Sequence, residues 1–154
     1  MKEHLLHLFS FNRQSNVQMV AKIREMADLE SASRLLSHLV NCQYRWLARL
    51  TEPERAVQMS WWDPLYSLDE LPDQFSKSTD IWIEFIDQKS DTDLGAEVTY
   101  FDASGRKCAA LLQDIALQLN FHSIHHRAQI QMMLKAQGVE PDAIDYIASH
   151  HRVL

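Results

Sequence analysis

Apolar residues recur in steps of four and three along most of this chain, the spacing that stacks side chains on one face of an α-helix. From about His4 to Met26 the line runs through Leu5, Phe9, Asn12, Asn16, Met19, Ile23 and Met26 and predicts a first helix. Two asparagines on an inward line need hydrogen-bond partners. They either brace a polar site or cap a neighbouring loop, with plain satisfaction of the amides as the simpler expectation. After a short link at Ala27-Asp28-Leu29, a second helix is predicted from about Glu30 to Leu50. It carries Leu35, Leu39, Cys42 and Trp46 on one face and His38 on the border of that face.

Between Thr51 and Tyr66 the periodicity breaks, and the segment holds Pro53, Trp61, Trp62 and Pro64. A long connection of this kind is often functional. Here one tryptophan is expected to plug the end of the core and the other to rest on the surface; a pair covering the mouth of a pocket is the alternative. Ser67-Leu68-Asp69-Glu70 has the pattern of a capping box with Ser67 as N-cap. It is followed by Leu71, Phe75, Trp82 and Phe85 at helical spacing, which predicts a third helix from about Leu68 to Gln88. Pro72 falls near its first turn, where the missing N–H is tolerated.

Lys89 to Arg106 is polar, with Gly95 and Gly105 as breakers. The β-type residues from Ala96 to Phe101 suggest a small hairpin or an extended loop. A long final helix is predicted from near Lys107 to Gly138, and Pro141 to Ile147 opens a short closing helix. Four main helices with two long connections predict an all-α four-helix bundle, with residues 1–154 as one domain.

Composition agrees with this reading. Only three glycines and four prolines leave little material for a turn-rich β protein, and 46% hydrophobic residues in 154 can form a core without disulfides. The net charge of −6 has no basic block to offset it. Its densest positive stretch, Arg45 to Arg49, lies within a helix that also carries Trp46 and Leu47, so nucleic acid is not expected as a partner. No apolar run approaches the about 18 residues that span a bilayer. Two cysteines and the start Met1-Lys2-Glu3-His4, without an export-type leader, suggest a cytoplasmic protein.

The candidate chemistry lies in Phe121-His122-Ser123-Ile124-His125-His126-Arg127-Ala128-Gln129, which holds three of the eight histidines. A seam from Cys108 through Leu112, Ile115, Leu119, His122, His126, Gln129 and Met133 puts His122 and His126 where core residues are expected, one turn apart. Two such imidazoles can meet at one metal ion, whereas His125 falls to the side. Zinc or nickel accepts neutral imidazole nitrogen, and a catalytic zinc commonly has three protein ligands. His38 is the choice for the third ligand, ahead of Cys42 and the more remote His4, His7, His150 and His151. Cys42, four residues past His38, is expected to be a small buried hydrophobe outside the metal set, with a fourth ligand or a reactive thiol as the alternative. Gln129 is expected to satisfy buried backbone or water, with a contact to a second-shell group or the substrate as the alternative. Arg127 is expected to face away from the seam, into an ion pair or a subunit contact. The chain has no His-Glu-x-x-His, and so lacks the general base of helical zinc proteases.

These residues resemble the DinB/YfiT-like proteins, among which are metal-dependent hydrolases and bacterial thiol S-transferases. The resemblance covers nearly the whole chain: Phe9 and Asn12 early, His38 followed by the stretch to Trp46, then His122-x-x-His125-His126-Arg127-x-Gln129, and Gly138-x-x-Pro141 with Asp145 at the end. Ala128 stands where the family usually has glycine, which should alter packing without removing a ligand. The resemblance implies an antiparallel four-helix bundle, often dimeric, that holds a divalent metal with His38, His122 and His126. The function expected is that of a metal-dependent enzyme acting on a small molecule, by hydrolysis or by transfer of a low-molecular-weight thiol. The alternatives are a non-catalytic metal-binding stress-response protein, and a metal-free bundle whose histidines serve packing.

Overall fold

The computed structural model describes residues 1–102, 104–149 and 151–152. It is mostly helical. Among the described residues it has α1 (Lys2–Ile23), α2 (Glu30–Thr51), α3 (Pro53–Gln58), α4 (Leu71–Asp87), α5 (Asp91–Leu94), β1 (Glu97–Phe101), β2 (Lys107–Leu111), α6 (Leu112–Ala136) and a closing 3₁₀ turn at Tyr146–Ser149. The long helices α1, α2, α4 and α6 supply the core: α1 packs on α4, α6 and α2, and α2 packs on α4, α6, α3 and β1. No helix of the described residues is long and apolar enough to cross a membrane.

Several expected elements shift. The final helix starts at Leu112, because Lys107–Leu111 pairs as β2 with β1 in an antiparallel register that sets Val98 against Ala110 and Tyr100 against Cys108. Gly105, at φ +79°, supplies the left-handed residue for the turn between the strands. Cys108 therefore belongs to the hairpin, not to the helical seam. Ser67 and Glu70 exchange the hydrogen bonds of a capping box, Ser67 N to Glu70 Oε2 at 2.9 Å and Glu70 N to Ser67 Oγ at 3.3 Å, one turn before α4. The connection after Thr51 holds the short α3, with Pro53 in its first turn. The closing helix expected from Pro141 is only the later 3₁₀ turn. A second capping box, at Ser90 and Asp93, starts α5 within the stretch expected to be an irregular polar connection.

The core is divided. One apolar cluster gathers Met19, Val20, Ile23, Leu36, Leu71, Phe75, Ile130 and Leu134; the other gathers Leu5, Phe9, Trp82, Ile86, Leu112, Ile115 and Leu119. Between them each long helix contributes buried polar residues: Asn12, Ser15 and Asn16 from α1, Asn41 and Gln43 from α2, Ser78 and Thr79 from α4, and Asn120, Ser123 and Arg127 from α6. Burying such groups costs several kcal/mol each unless they pair, roughly 2–7 kcal/mol in an apolar medium. Most of them pair here, Asn16 Nδ2 excepted: Trp82 Nε1 donates to the Gln43 carbonyl (2.8 Å), and Thr79 Oγ1 donates to Gln43 Oε1 (3.3 Å).

Arg127 is the centre of this layer, and its burial corrects the sequence reading of an ion pair or subunit contact. It is 4% exposed. One of its terminal nitrogens, Nη1, donates to Asn12 Oδ1 (2.6 Å), Asn16 Oδ1 (2.9 Å) and Ser123 Oγ (2.8 Å). Asn12 also donates to Asn120, which donates in turn to the Ala116 carbonyl (2.8 Å). The two asparagines on the α1 line thus brace a buried guanidinium. Burial alone pulls Arg127 down to about 10, still charged at neutral pH. The correction follows from helical phase: the deepest line of α6 runs Ala116, Asn120, Ser123, Arg127, Ile130, Leu134, turned by about one residue from the assumed seam.

Replacing Arg127 by leucine leaves Asn12, Asn16 and Ser123 buried without their common donor. The expected loss is about 2–4 kcal/mol of unfolding free energy, read by urea denaturation against Gln14→Leu on the exposed side of α1 as a control.

Candidate metal centre

The site forms where α2 and α6 meet beside the segment that follows α3. Every residue from Leu36 to Gln43 of α2 is buried, because that helix is covered by α1, α4, α6 and the returning chain. Three side chains of α2 fasten the chain to it. His38 Nδ1 donates to the Trp61 carbonyl (2.7 Å), Asn41 Nδ2 donates to the Pro64 carbonyl (3.1 Å), and Ser37 Oγ accepts from Tyr66 N (3.0 Å). Trp62 then lies flat on the His38 ring, 4.0 Å between centroids and 16° between planes. Trp61 packs into the second apolar cluster while Trp62 is 38% exposed, so one tryptophan fills the core end and the other covers an imidazole.

The structure brings together the three histidines singled out in the sequence. Ring centroids lie 5.1 Å apart for His38 and His122, 5.1 Å for His38 and His126, and 4.5 Å for His122 and His126. His126 Nε2 is 2.8 Å from His122 Nε2, and His126 Nδ1 is 2.7 Å from Gln129 Oε1. His125 sits beside this group with its ring 5.2 Å from that of His126, on an exposed position. Of the remote candidates, His4 packs edge-on against Tyr146, His151 contacts the Ile147 carbonyl and His7 is on the exposed side of α1. His150 lies outside the described residues.

Cys42 enters the cluster more closely than its sequence position suggested. Its Sγ is 3.4 Å from His38 Nε2, and His38, Cys42 and His122 can each offer a ligand atom within 4.8 Å of the other two. This His-Cys-His group can hold a metal ion. It overlaps the all-histidine set in His38 and His122 and differs in taking Cys42 in place of His126. The i, i+4 relation of Cys42 to His38, on which a fourth ligand is the alternative in the sequence, is what brings it here.

Oxygen acceptors decide which ring nitrogens are free. A carbonyl oxygen only accepts, so His38 carries its proton on Nδ1 and leaves Nε2 with a lone pair. Gln129 does the same for His126. Metal-ligating histidines characteristically have their second nitrogen held this way. His122 has no such oxygen among the described residues, and its tautomer is set by His126. Burial pushes all three imidazoles below their ordinary range, His122 to about 4 with His126, His38 and His125 adding like-charge repulsion. They are neutral at pH 7, the form a metal accepts. The Cys42 thiol is pushed up to about 12 by burial, against the pull of Arg45 and Arg49, and stays protonated unless a cation displaces its proton.

A cavity of about 330 Å³ opens onto this group, lined by His38, Cys42, His122, Trp46, Trp61 and Trp62 among others. A larger cavity of about 650 Å³, between Ala27 and Leu68, touches none of the three histidines.

A mostly helical protein with a histidine and cysteine cluster beside a cavity belongs to the class that can bind a metal ion in its core. The DinB family model matches residues 1–152, and the chain is a member of the DinB family. No curated protein matches it.

The depressed histidines set the pH dependence of the metal-free protein. Unfolded, His122 titrates near the ordinary 6.5; folded, it titrates near 4. Between these values the unfolded chain binds more protons, so stability is level above about pH 6.5 and falls as pH drops toward 4. Urea unfolding across this window should show that slope, and His122→Gln should reduce it; an unchanged slope in the variant would place the titration elsewhere.

Proposed function

We propose that this chain is a metal-dependent enzyme acting on small molecules, of hydrolase or thiol S-transferase type, with a divalent ion held by His38, His122 and His126. The observation that carries the reading is the paired fixing of Nδ1 on His38 by Trp61 O and on His126 by Gln129 Oε1, each at 2.7 Å, which leaves both Nε2 atoms with a lone pair, that of His126 2.8 Å from His122 Nε2. Zinc or nickel suits such a set of neutral imidazoles. An ion of this kind supplies Lewis acidity, which makes a water molecule or a low-molecular-weight thiol a better nucleophile at neutral pH. The chain's own part is to hold the imidazoles neutral and oriented, to keep one side of the cluster open to the cavity, and to wall it with Trp46, Trp61 and Trp62.

A second reading, a non-catalytic metal-binding protein, is favoured by Cys42. Its sulfur, 3.4 Å from His38 Nε2, is placed to complete a closed ligand set, and closed sets are structural rather than catalytic.

Elemental mass spectrometry on untagged protein separates these readings. Near-stoichiometric zinc or nickel is expected in the wild type and lost in His38→Ala, His122→Ala and His126→Ala, with Cys42→Ser retaining it. Gln129→Ala should weaken binding about 10–100-fold, as expected when an orienting partner is removed. Loss in Cys42→Ser with retention in His126→Ala would install the His-Cys-His set instead. No metal in the wild type after reconstitution would sink both readings.

The same reading takes α1, α2, α4 and α6 as an antiparallel four-helix bundle, supported by the contacts of both α1 and α2 with α4 and α6. It places the protein in the cytoplasm, where Cys42 and Cys108 stay as the free thiols they are in the structure. It also takes the protein as a homodimer. Phe121, Ile124 and Met132 are 59%, 47% and 74% exposed on the face of α6 opposite Ser123 and Ile130, an apolar stripe that a second copy can cover. Sedimentation should show a dimer that Ile124→Glu with Met132→Glu converts to a folded monomer; a wild-type monomer at micromolar concentration would overturn this.

A further inference from the structure

The densest positive stretch in the sequence, Arg45 to Arg49, has no role in the metal reading, yet it borders the same cavity. We propose that Arg49 is the anion-recognition residue of the pocket beside the histidine cluster, and that the pocket takes a small organic carboxylate whose charged end lies on Arg49. This deepens the metal reading by naming a substrate class for that site, and rests on it for the chemistry but not for the binding.

Arg49 is nine-tenths buried, at 9% exposure. Its guanidinium lies 4.7 Å from the Trp46 ring, 4.7 Å from the Trp61 ring and 5.8 Å from the Tyr100 ring. Among the described residues it forms no ion pair. Asp102 is the acid whose charge reaches it, and that carboxylate is already engaged by Ser104 Oγ (2.7 Å) and by Arg106 (2.8 Å). Arg45 adds a second cation, 4.1 Å from the same Trp61 ring, with its Nε buried and without a partner.

Two guanidinium groups therefore share one indole, and among the described residues neither forms an ion pair; Asp102, beside both in the second cavity, is turned to Ser104 and Arg106. A buried charge outside a direct ion pair is costly, and cation–π contact returns only about 0.5–2 kcal/mol. Arg49 lines the 330 Å³ cavity together with His38 and His122, and with Arg45 it lines a second cavity of about 280 Å³. A ligand entering the first cavity can supply the missing charge.

The planar fork of arginine matches a carboxylate through two parallel N–H donors. Trp46, Trp61 and Trp62 line the cavity with apolar surface against which the organic body of the ligand can rest. The cavity is at the small end of ligand sites. Asp102 nearby and a chain charge of −6 favour a single negative charge over a polyphosphate. With the carboxylate on Arg49, the remainder of the molecule extends toward His38 and His122, where the proposed ion would act.

Calorimetric titration with benzoate and with its neutral analogue benzamide tests this, with metal content read on the same samples. Wild-type protein should bind benzoate at least tenfold more tightly than benzamide. Arg49→Gln should bring the two within twofold without changing metal content, and Arg49→Lys should keep part of the preference. Equal binding of the two probes by the wild type, no benzoate binding at about 10 mM, or a preference intact in Arg49→Gln would overturn the proposal. Should Arg49→Gln fail to fold by circular dichroism, Arg45→Gln decides: the preference drops at least threefold there, or the two cations do not act together and the proposal falls. A benzoate preference in wild-type protein that takes up no metal on reconstitution sinks the metal reading alone; bound metal without any benzoate preference sinks this inference alone.

Discussion

A charged guanidinium sits in the middle of the core, held by neutral oxygens alone. Arg127 reaches Asn12 and Asn16 on α1 and Ser123 on its own helix, and each of those groups has few other ways to satisfy itself. Hydrogen bonds to a charged group are directional and cost most when broken. They therefore fix how far α6 slides along α1 and how it is rotated, more sharply than the apolar contacts above and below, which tolerate repacking. His126 precedes Arg127 in the chain. Once the arginine is anchored, His126 and His122 are carried to the flank of α6 that faces α2.

The other half of the site depends on α2. Its stretch from Leu36 to Gln43 is enclosed on all sides, and polar side chains there must bond to something. Ser37, His38 and Asn41 meet that need with backbone groups of residues 61–66. One consequence is structural, since a long connection is fastened down. The other is chemical, since the same bond that fastens Trp61 decides the tautomer of His38. Arg45 and Arg49, further along the helix, meet aromatic faces where an acid would ordinarily stand.

Much of this was legible in the sequence. The four long helices follow from four-and-three periodicity, the Ser67–Glu70 box from its spacing, and the meeting of His38, His122 and His126 from their positions on helical faces. What escaped has a common cause. Periodicity locates a face only to within about one residue, and a shift of one residue on α6 exchanges Arg127 from the outside to the centre. The polar spacing Asn120, Ser123, Arg127, matched by Asn12 and Asn16 on α1, carried the information, but hydrophobic pattern reading passes over polar residues in the core. The strand at Lys107–Leu111 escaped because Cys-Ala-Ala-Leu suits a helix locally, and only pairing with β1 makes it a strand. Cys42 was underrated because a cysteine on an apolar face is ordinarily packing.

The bond from His38 to the Trp61 carbonyl has a further meaning. Trp62 covers the same ring, so loop and imidazole form a single element, and opening the loop releases the group that orients the ring. Two equilibria that share an element are linked, and linkage is reciprocal. If occupation of the histidine cluster steadies residues 61–66, then any change that loosens those residues weakens occupation by the same factor. The connection between α3 and α4, far in sequence from His122 and His126, is thereby a place where the affinity of the cluster can be adjusted without touching a ligand.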